Sequence, residues 1–140
     1  MTQPRAQFTS QELAIVLSHY DLGAVSDIRE FTPGRHRAPK VVITSDRGRY
    51  LLKRRPKGRD DPYRVAFAHS LQNYLAGKNF PLPHLIGTED HNNSMLKLGD
   101  SLYELYQFIE GGPYDGGLVA TYEAGKTLGL YHALVHEYHP

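Results

Sequence analysis

Residues 40–55 have the sequence KVVITSDRGRYLLKRR, in which two apolar runs flank a tight turn. The first run, 40–45, predicts a β-strand, and Gly48 allows the chain to reverse because glycine readily adopts positive φ. The second run predicts an antiparallel strand that carries Lys53 near its end. Together with a strand predicted over 25–31, these residues indicate a three-stranded antiparallel unit.

Helix signals lie on both sides of this unit. Thr9-Ser-Gln-Glu12 matches a capping box and predicts a helix before the unit, whereas Asp61-Pro62 predicts a second helix after it that ends at Gly77. Two more strands are predicted over 94–98 and 102–109. The pattern predicts an α+β fold with a five-stranded antiparallel sheet, an N-terminal helix, and one helix between strands three and four.

The composition changes after the fifth strand. Residues 110–117 contain four glycines and a proline, which predicts a hinge, and a helix is predicted beyond it over 118–135. We therefore divide the chain into a lobe at 1–110 and, at 111–140, the hinge with the first helix of an incomplete C-terminal lobe. This helix has little to pack against, so we expect its apolar stripe to favour self-association.

Composition and charge exclude several functional classes. The 140 residues contain no cysteine, which excludes disulfides and thiolate metal sites and fits a cytoplasmic protein. No apolar run approaches membrane-spanning length, and the net charge of +1 gives no reason to expect membrane or nucleic acid as a main partner. His132 and His136 lie one helical turn apart and His139 follows, but no cysteine is present and the nearby carboxylate is only Glu137, so we expect no metal site.

The sequence allows alternative interpretations of Lys53 and of the basic run that begins with it. A lone strand lysine such as Lys53 either holds a phosphate beneath a glycine-containing loop or is simply a solvated charge on a sheet edge. The run 53–59 holds five cations in seven residues, and this density is also compatible with a nucleic-acid-binding domain.

Six segments of the sequence occur in an order that is typical of one family. Over residues 8–135, the chain resembles the N-terminal lobe of the aminoglycoside phosphotransferase and choline kinase-like family, relatives of protein kinases that phosphorylate small molecules. The segments are Thr32-Pro-Gly-Arg35, Tyr50-Leu-Leu-Lys53, Leu71-Gln-Asn-Tyr-Leu75, Phe80-Pro-Leu-Pro83, Tyr103-Glu-Leu-Tyr-Gln-Phe-Ile-Glu-Gly111 and Ala124-Gly-Lys-Thr-Leu-Gly-Leu-Tyr-His132.

This resemblance implies ATP as the ligand and a small-molecule alcohol as the acceptor. Lys53 would contact the α- and β-phosphates, and Gly34 would let the loop backbone approach them, with Arg35 as a further cation. The strand end before the hinge would bind adenine through the backbone of Gln107 and Ile109, with Tyr106 beside the base. The nucleotide-binding residues implied are thus Gly34, Arg35, Lys53, Tyr106, Gln107 and Ile109.

The sequence also departs from the family pattern. The family usually places a glutamate on the helix after the third strand to orient the lysine, but 64–72 contains no carboxylate, so His69 is the possible partner of Lys53. No aspartate follows Asp115, although the family needs a catalytic aspartate and Mg²⁺ ligands there. We therefore expect a truncated lobe that is not catalytic alone, with Mg²⁺ bound only by a full-length form and the remainder of the C-terminal lobe as a partner. A non-catalytic kinase-like scaffold is the alternative.

Overall fold

The structure, a computed structural model, describes residues 4–34 and 36–140. It has the α+β architecture that the sequence predicts, with a five-stranded antiparallel sheet and three helices in the described part of the chain. In chain order the elements are α1 (Ser10–Leu17), β1 (Val25–Glu30), β2 (Lys40–Ser45), β3 (Gly48–Arg54), α2 (Pro62–Gly77), β4 (Leu96–Leu98), β5 (Ser101–Gln107) and α3 (Leu118–His136).

The strands are arranged in the order β1-β2-β3-β5-β4, and every neighbouring pair is antiparallel. The β2–β3 hairpin turns at Asp46 and Arg47, and Gly48, the first residue of β3, has a φ of 142°, which favours glycine. Its register places Lys40 opposite Lys53, and the β3–β5 register places Lys53 opposite Glu104. Opposed residues project from the same face of a sheet, so these three side chains share one face.

The main hydrophobic core lies on the other face of the sheet, beneath α1. Thr9 caps this helix by accepting a hydrogen bond from the amide of Glu12 (3.1 Å), as the capping box predicts. Val16 and Tyr20 then pack on a set of apolar strand residues, and this burial holds the helix against the sheet. The buried strand residues of this core are Val41, Ile43, Leu52, Leu96, Tyr103 and Leu105.

Helix α2 covers part of the face that carries Lys53 and Glu104. Its amino end is capped by Asp61, whose side chain accepts a hydrogen bond from the amide of Tyr63 (3.0 Å). His69 is buried on this helix and reaches Glu104 on β5. The helix therefore places a polar side chain against the middle of the sheet instead of a continuous apolar stripe.

Helix α3 contacts α2 with its carboxyl end. The Tyr74 hydroxyl donates to the carbonyl of Leu134 (3.1 Å), and the Tyr138 ring lies 5.0 Å from that of Tyr74. No residue of α3 is buried, and Leu118 and Leu128 are 89% and 55% exposed. The apolar stripe of α3 is therefore partly exposed, as predicted, while its end rests on α2. In the described part of the chain, no helix has both the length and the apolar character needed to cross a membrane.

Candidate functional site

A fully buried carboxylate, that of Glu104, lies at the centre of the candidate site. His69 approaches it from α2, with 2.5 Å between Nε2 and Oε2, and the Tyr106 hydroxyl donates to the same oxygen at 2.7 Å. Arg55 donates through Nε to Oε1 at 2.6 Å and through a terminal nitrogen to Oε2 at 3.1 Å. The Lys53 ammonium lies 3.6 Å from Oε1. We call these five residues the Glu104 cluster.

The Glu104 carboxyl is ionised in this environment. Burial alone would raise its pKa, but the hydrogen bonds from His69, Arg55 and Tyr106 lower the pKa to well below its usual range. Two cations, Lys53 and Arg55, thus face a single carboxylate. The cluster therefore has a surplus of positive charge that is available to an anionic ligand.

Lys53 stands in the interior of the sheet, because β3 pairs with β2 on one side and with β5 on the other. Its side chain is 29% exposed, and the ammonium lies 5.9 Å from the centre of the Tyr106 ring. The alternative reading, a solvated charge on a sheet edge, does not fit this position. The ammonium is held on one side by protein groups and remains partly accessible to a ligand.

The partner of Lys53 differs from the one predicted. The sequence suggested His69 on α2, but the structure places the carboxylate of Glu104 on β5 beside the lysine. The Nδ1 atom of His69 lies 2.7 Å from the Ser94 hydroxyl, and its Nε2 atom bonds Glu104. His69 therefore helps to position Lys53 through the carboxylate of Glu104. Glu104 was not predicted as the partner because the family usually carries this glutamate on the helix after the third strand, whereas here it lies on β5.

The loop between β1 and β2 approaches the lysine-bearing face through Gly34. Gly34 has a φ of 97°, and a Cβ atom built on it would overlap the ammonium of Lys40. The N-terminal segment holds this loop, since the Arg5 side chain donates to the carbonyl of Thr32 (2.7 Å) and the Ala6 amide to that of His36 (2.8 Å). The Gly34 backbone therefore lies against Lys40, its approach to phosphates remains a prediction, and Arg35 lies outside the described residues.

The predicted adenine-binding segment begins within β5, the strand that carries Glu104, and continues beyond its end to Ile109. The Gln107 amide donates to the carbonyl of His84 (2.9 Å), and the Phe108 amide donates to that of Arg49 (3.0 Å). Ile109 lies beyond the strand and is 55% exposed, and within residues 4–34 and 36–140 its amide donates no backbone hydrogen bond. Tyr106 belongs both to this segment and to the Glu104 cluster, so it connects the two regions.

Carboxylates pair with part of the basic run 53–59. Arg54 donates to both carboxylate oxygens of Glu12, at 2.6 and 2.8 Å, and Lys57 lies 3.5 Å from Asp60. Lys53 and Arg55 share Glu104, as described above. Outside the Glu104 cluster, the pairing of Arg54 and Lys57 leaves fewer cations of this run for a nucleic-acid backbone, which argues against the nucleic-acid-binding alternative.

The model of the phosphotransferase enzyme family matches residues 27–140, which is most of the chain. The chain belongs to this family. The match includes the loop with Gly34, the strand with Lys53, the Glu104 cluster and helix α3. It confirms the resemblance on which the assignment of nucleotide-binding residues rests. Among curated protein sequences, none matches this phosphotransferase family member significantly.

Solved structures of related kinases share the fold. An aminoglycoside phosphotransferase from Alicyclobacillus acidocaldarius subsp. acidocaldarius DSM 446 is 22% identical with a TM-score of 0.70, over 92% of this chain and 36% of its own. An amicoumacin kinase in complex with AMP-PNP, Ca²⁺ and Ami is 13% identical with a TM-score of 0.72, over 95% of this chain and 42% of its own. A spectinomycin phosphotransferase in complex with ADP and spectinomycin is 16% identical with a TM-score of 0.60, over 75% of this chain and 31% of its own.

These comparisons concern part of each relative. The chain spans between 31% and 42% of the length of these solved structures. The structural similarity establishes the fold of this family member, a kinase-like small lobe. At such low identities it does not identify the nucleotide or the acceptor of this chain.

Proposed function

We propose that this chain is the ATP-binding small lobe of a cytoplasmic small-molecule phosphotransferase. Residues 1–110 form the nucleotide-binding lobe, and residues 111–140 form the hinge and the first helix of a C-terminal lobe. The observation that carries the proposal is the position of Lys53, which a buried carboxylate holds on the sheet face that the Gly34 loop approaches.

The Glu104 cluster would give Lys53 the properties of a phosphate-binding residue. The carboxylate restrains the ammonium, so little reorganisation is needed when an anion binds, and the surplus positive charge favours a ligand with several negative charges. A lysine ammonium acts as a compact point charge with rotatable donors, which suits contact with the α- and β-phosphates. Gly34 would complete this contact from the loop side, together with Arg35.

The nucleobase would bind at the strand end before the hinge. There the backbone of Gln107 and Ile109 would supply an acceptor and a donor, and the amide of Ile109 has no competing backbone partner in the described part of the chain. Tyr106 would lie beside the base and connect it to Lys53. The triphosphate would then run from this strand end towards the loop with Gly34.

We further propose that these 140 residues bind nucleotide without transferring phosphate by themselves. The sequence contains no aspartate after Asp115, where the resemblance would place the catalytic base and a Mg²⁺ ligand. The catalytic base, the Mg²⁺ ligands and the site for the alcohol acceptor would belong to the remainder of a C-terminal lobe.

Titration of the 140-residue chain with ATP, followed by NMR, tests the proposal. Because one lobe alone lines the cleft, we expect weak binding in the millimolar range, with shifts at Lys53 and at the amide of Ile109. Lys53→Met should abolish these shifts, whereas the matched control Lys126→Met, on the exposed face of α3, should not change them.

Two results would contradict the proposal. The first is an absence of ATP-dependent shifts at millimolar nucleotide, which would favour the non-catalytic scaffold instead. The second is binding that Lys53→Met leaves intact although the variant keeps a native spectrum. Phosphate transfer to any alcohol by the purified chain would refute the part of the proposal that concerns catalysis.

A further inference from the structure

A second lysine, Lys40, lies directly opposite Lys53 on the β2–β3 hairpin. Opposed residues of an antiparallel pair have Cβ atoms about 4.5–5.5 Å apart, and like charges in this position destabilise the sheet. Lys53 has the carboxylate of Glu104 as a partner, but in the described part of the chain no carboxylate forms an ion pair with Lys40. Within residues 4–34 and 36–140, the hairpin therefore contains a charge repulsion at Lys40 that no ion pair relieves.

The surroundings of Lys40 strengthen this repulsion. Burial lowers the pKa of its ammonium, and the positive charges of Lys53 and Arg5 lower it further. The loop lies directly against the same group, since a Cβ atom on Gly34 would overlap the ammonium. The Lys40 ammonium thus lies against the Gly34 backbone and within the field of two further cations, Lys53 and Arg5.

We propose that Lys40 is a second phosphate-binding residue, which forms a two-lysine clamp with Lys53 for the triphosphate of the nucleotide. This inference rests on the proposed function and specifies how the same site recognises its ligand. An anion between the two ammonium groups replaces their repulsion by two attractions, so the clamp favours ligands with several adjacent phosphates. The absence of a Cβ atom on Gly34 leaves the Lys40 ammonium its place beneath the loop.

Lys40→Met tests the clamp, because methionine keeps the apolar stem of the side chain and removes the charge. We expect its affinity for ATP to fall about tenfold and its affinity for adenosine to stay unchanged. Since the repulsion from Lys53 is removed, we also expect the melting temperature of the ligand-free variant to rise. The control Lys126→Met should change neither the affinity for ATP nor the melting temperature. Lys40→Gln serves as the second variant if Lys40→Met does not fold.

Inorganic triphosphate as a third probe separates this inference from the proposed function. Binding of triphosphate that depends on Lys40, without any binding of ATP, would support the clamp and overturn the nucleotide function. Loss of ATP binding in Lys53→Met together with affinity within about twofold of the original chain in Lys40→Met would overturn the clamp alone. If neither ATP nor triphosphate binds the chain, both proposals fail.

Discussion

Lys53 and Glu104 lie opposite each other on adjacent strands, and 3.6 Å separates the Lys53 Nζ atom from the Glu104 Oε1 atom. The position of the lysine is therefore set by the register of β3 and β5, whereas a partner on α2 would make it depend on the placement of the helix. Helix α2 contributes indirectly, because His69 bonds to the same carboxylate.

Replacing Glu104 by glutamine should destabilise the fold strongly. The carboxylate is fully buried and compensates Lys53 and Arg55, so its loss leaves two partly buried cations without an anion. We expect the free energy of unfolding to fall by about 3 kcal/mol, as measured by urea denaturation. Glu123→Gln, on the exposed side of α3, is the matched control and should change it by less than about 0.5 kcal/mol. A similarly small effect of Glu104→Gln would contradict the role of the cluster.

The same carboxylate should make stability depend on pH in the acid range. Because the folded state lowers the pKa of Glu104 below its ordinary value of 4.5, the unfolded chain takes up a proton first as the pH falls. The stabilising contribution is thus complete above about pH 4.5 and is lost progressively below it. Urea denaturation over a pH series should show that acid lowers the free energy of unfolding less for Glu104→Gln than for the original chain. Equal slopes would show that Glu104 is not ionised in the folded state.

Tyr20→Phe should stabilise the protein. The Tyr20 hydroxyl is buried and has no hydrogen-bond partner in the part of the chain that the structure describes. Its removal should raise the free energy of unfolding by about 1 kcal/mol, because an unsatisfied buried polar group is costly. The exposed Tyr122 provides the control, and Tyr122→Phe should have no effect.

The gain from Tyr20→Phe should also increase at alkaline pH. Burial raises the pKa of Tyr20 from 10.0 to about 12, with a further contribution from the charge of Glu104. Above about pH 10 the unfolded tyrosine ionises first, so the original chain loses stability that the phenylalanine variant retains. A gain that is independent of pH between neutral and alkaline solution would contradict this assignment.

Helix α3 should cause the 140-residue chain to self-associate. Leu118 and Tyr122 lie one helical turn apart and are 89% and 69% exposed. Exposed apolar stripes of this kind favour association, so we expect light scattering to increase with protein concentration. Replacement of both residues by glutamine should reduce this increase, whereas Glu123→Gln should not. Concentration-independent scattering by the original chain would exclude association through this face.

Strong local signals allowed most elements to be predicted. Lys40–Ser45 forms the predicted strand β2, and α2 begins after its Asp61 cap and ends at Gly77, as predicted. The predicted ends of β4 and β5 were less accurate. Strand β4, predicted over 94–98, is confined to Leu96–Leu98, and β5, predicted to end at residue 109, ends at Gln107. Turns and helix caps depend on neighbouring residues, whereas the ends of strands depend on the partner strand.

Residue types and their local spacing were sufficient to indicate the fold class, the family resemblance and the importance of Lys53. They were not sufficient to identify Glu104 as its partner, and the opposition of Lys40 and Lys53 was not predicted either. That opposition follows from the turn between β2 and β3, because the turn of a hairpin fixes the register of its two strands. The pairing of Lys53 with Glu104 depends on the register between β3 and β5, and a shift of one residue would place either side chain on the other face of the sheet. Helix α2 and strand β4 separate β3 from β5 in the chain, so only the tertiary structure brings this pair together.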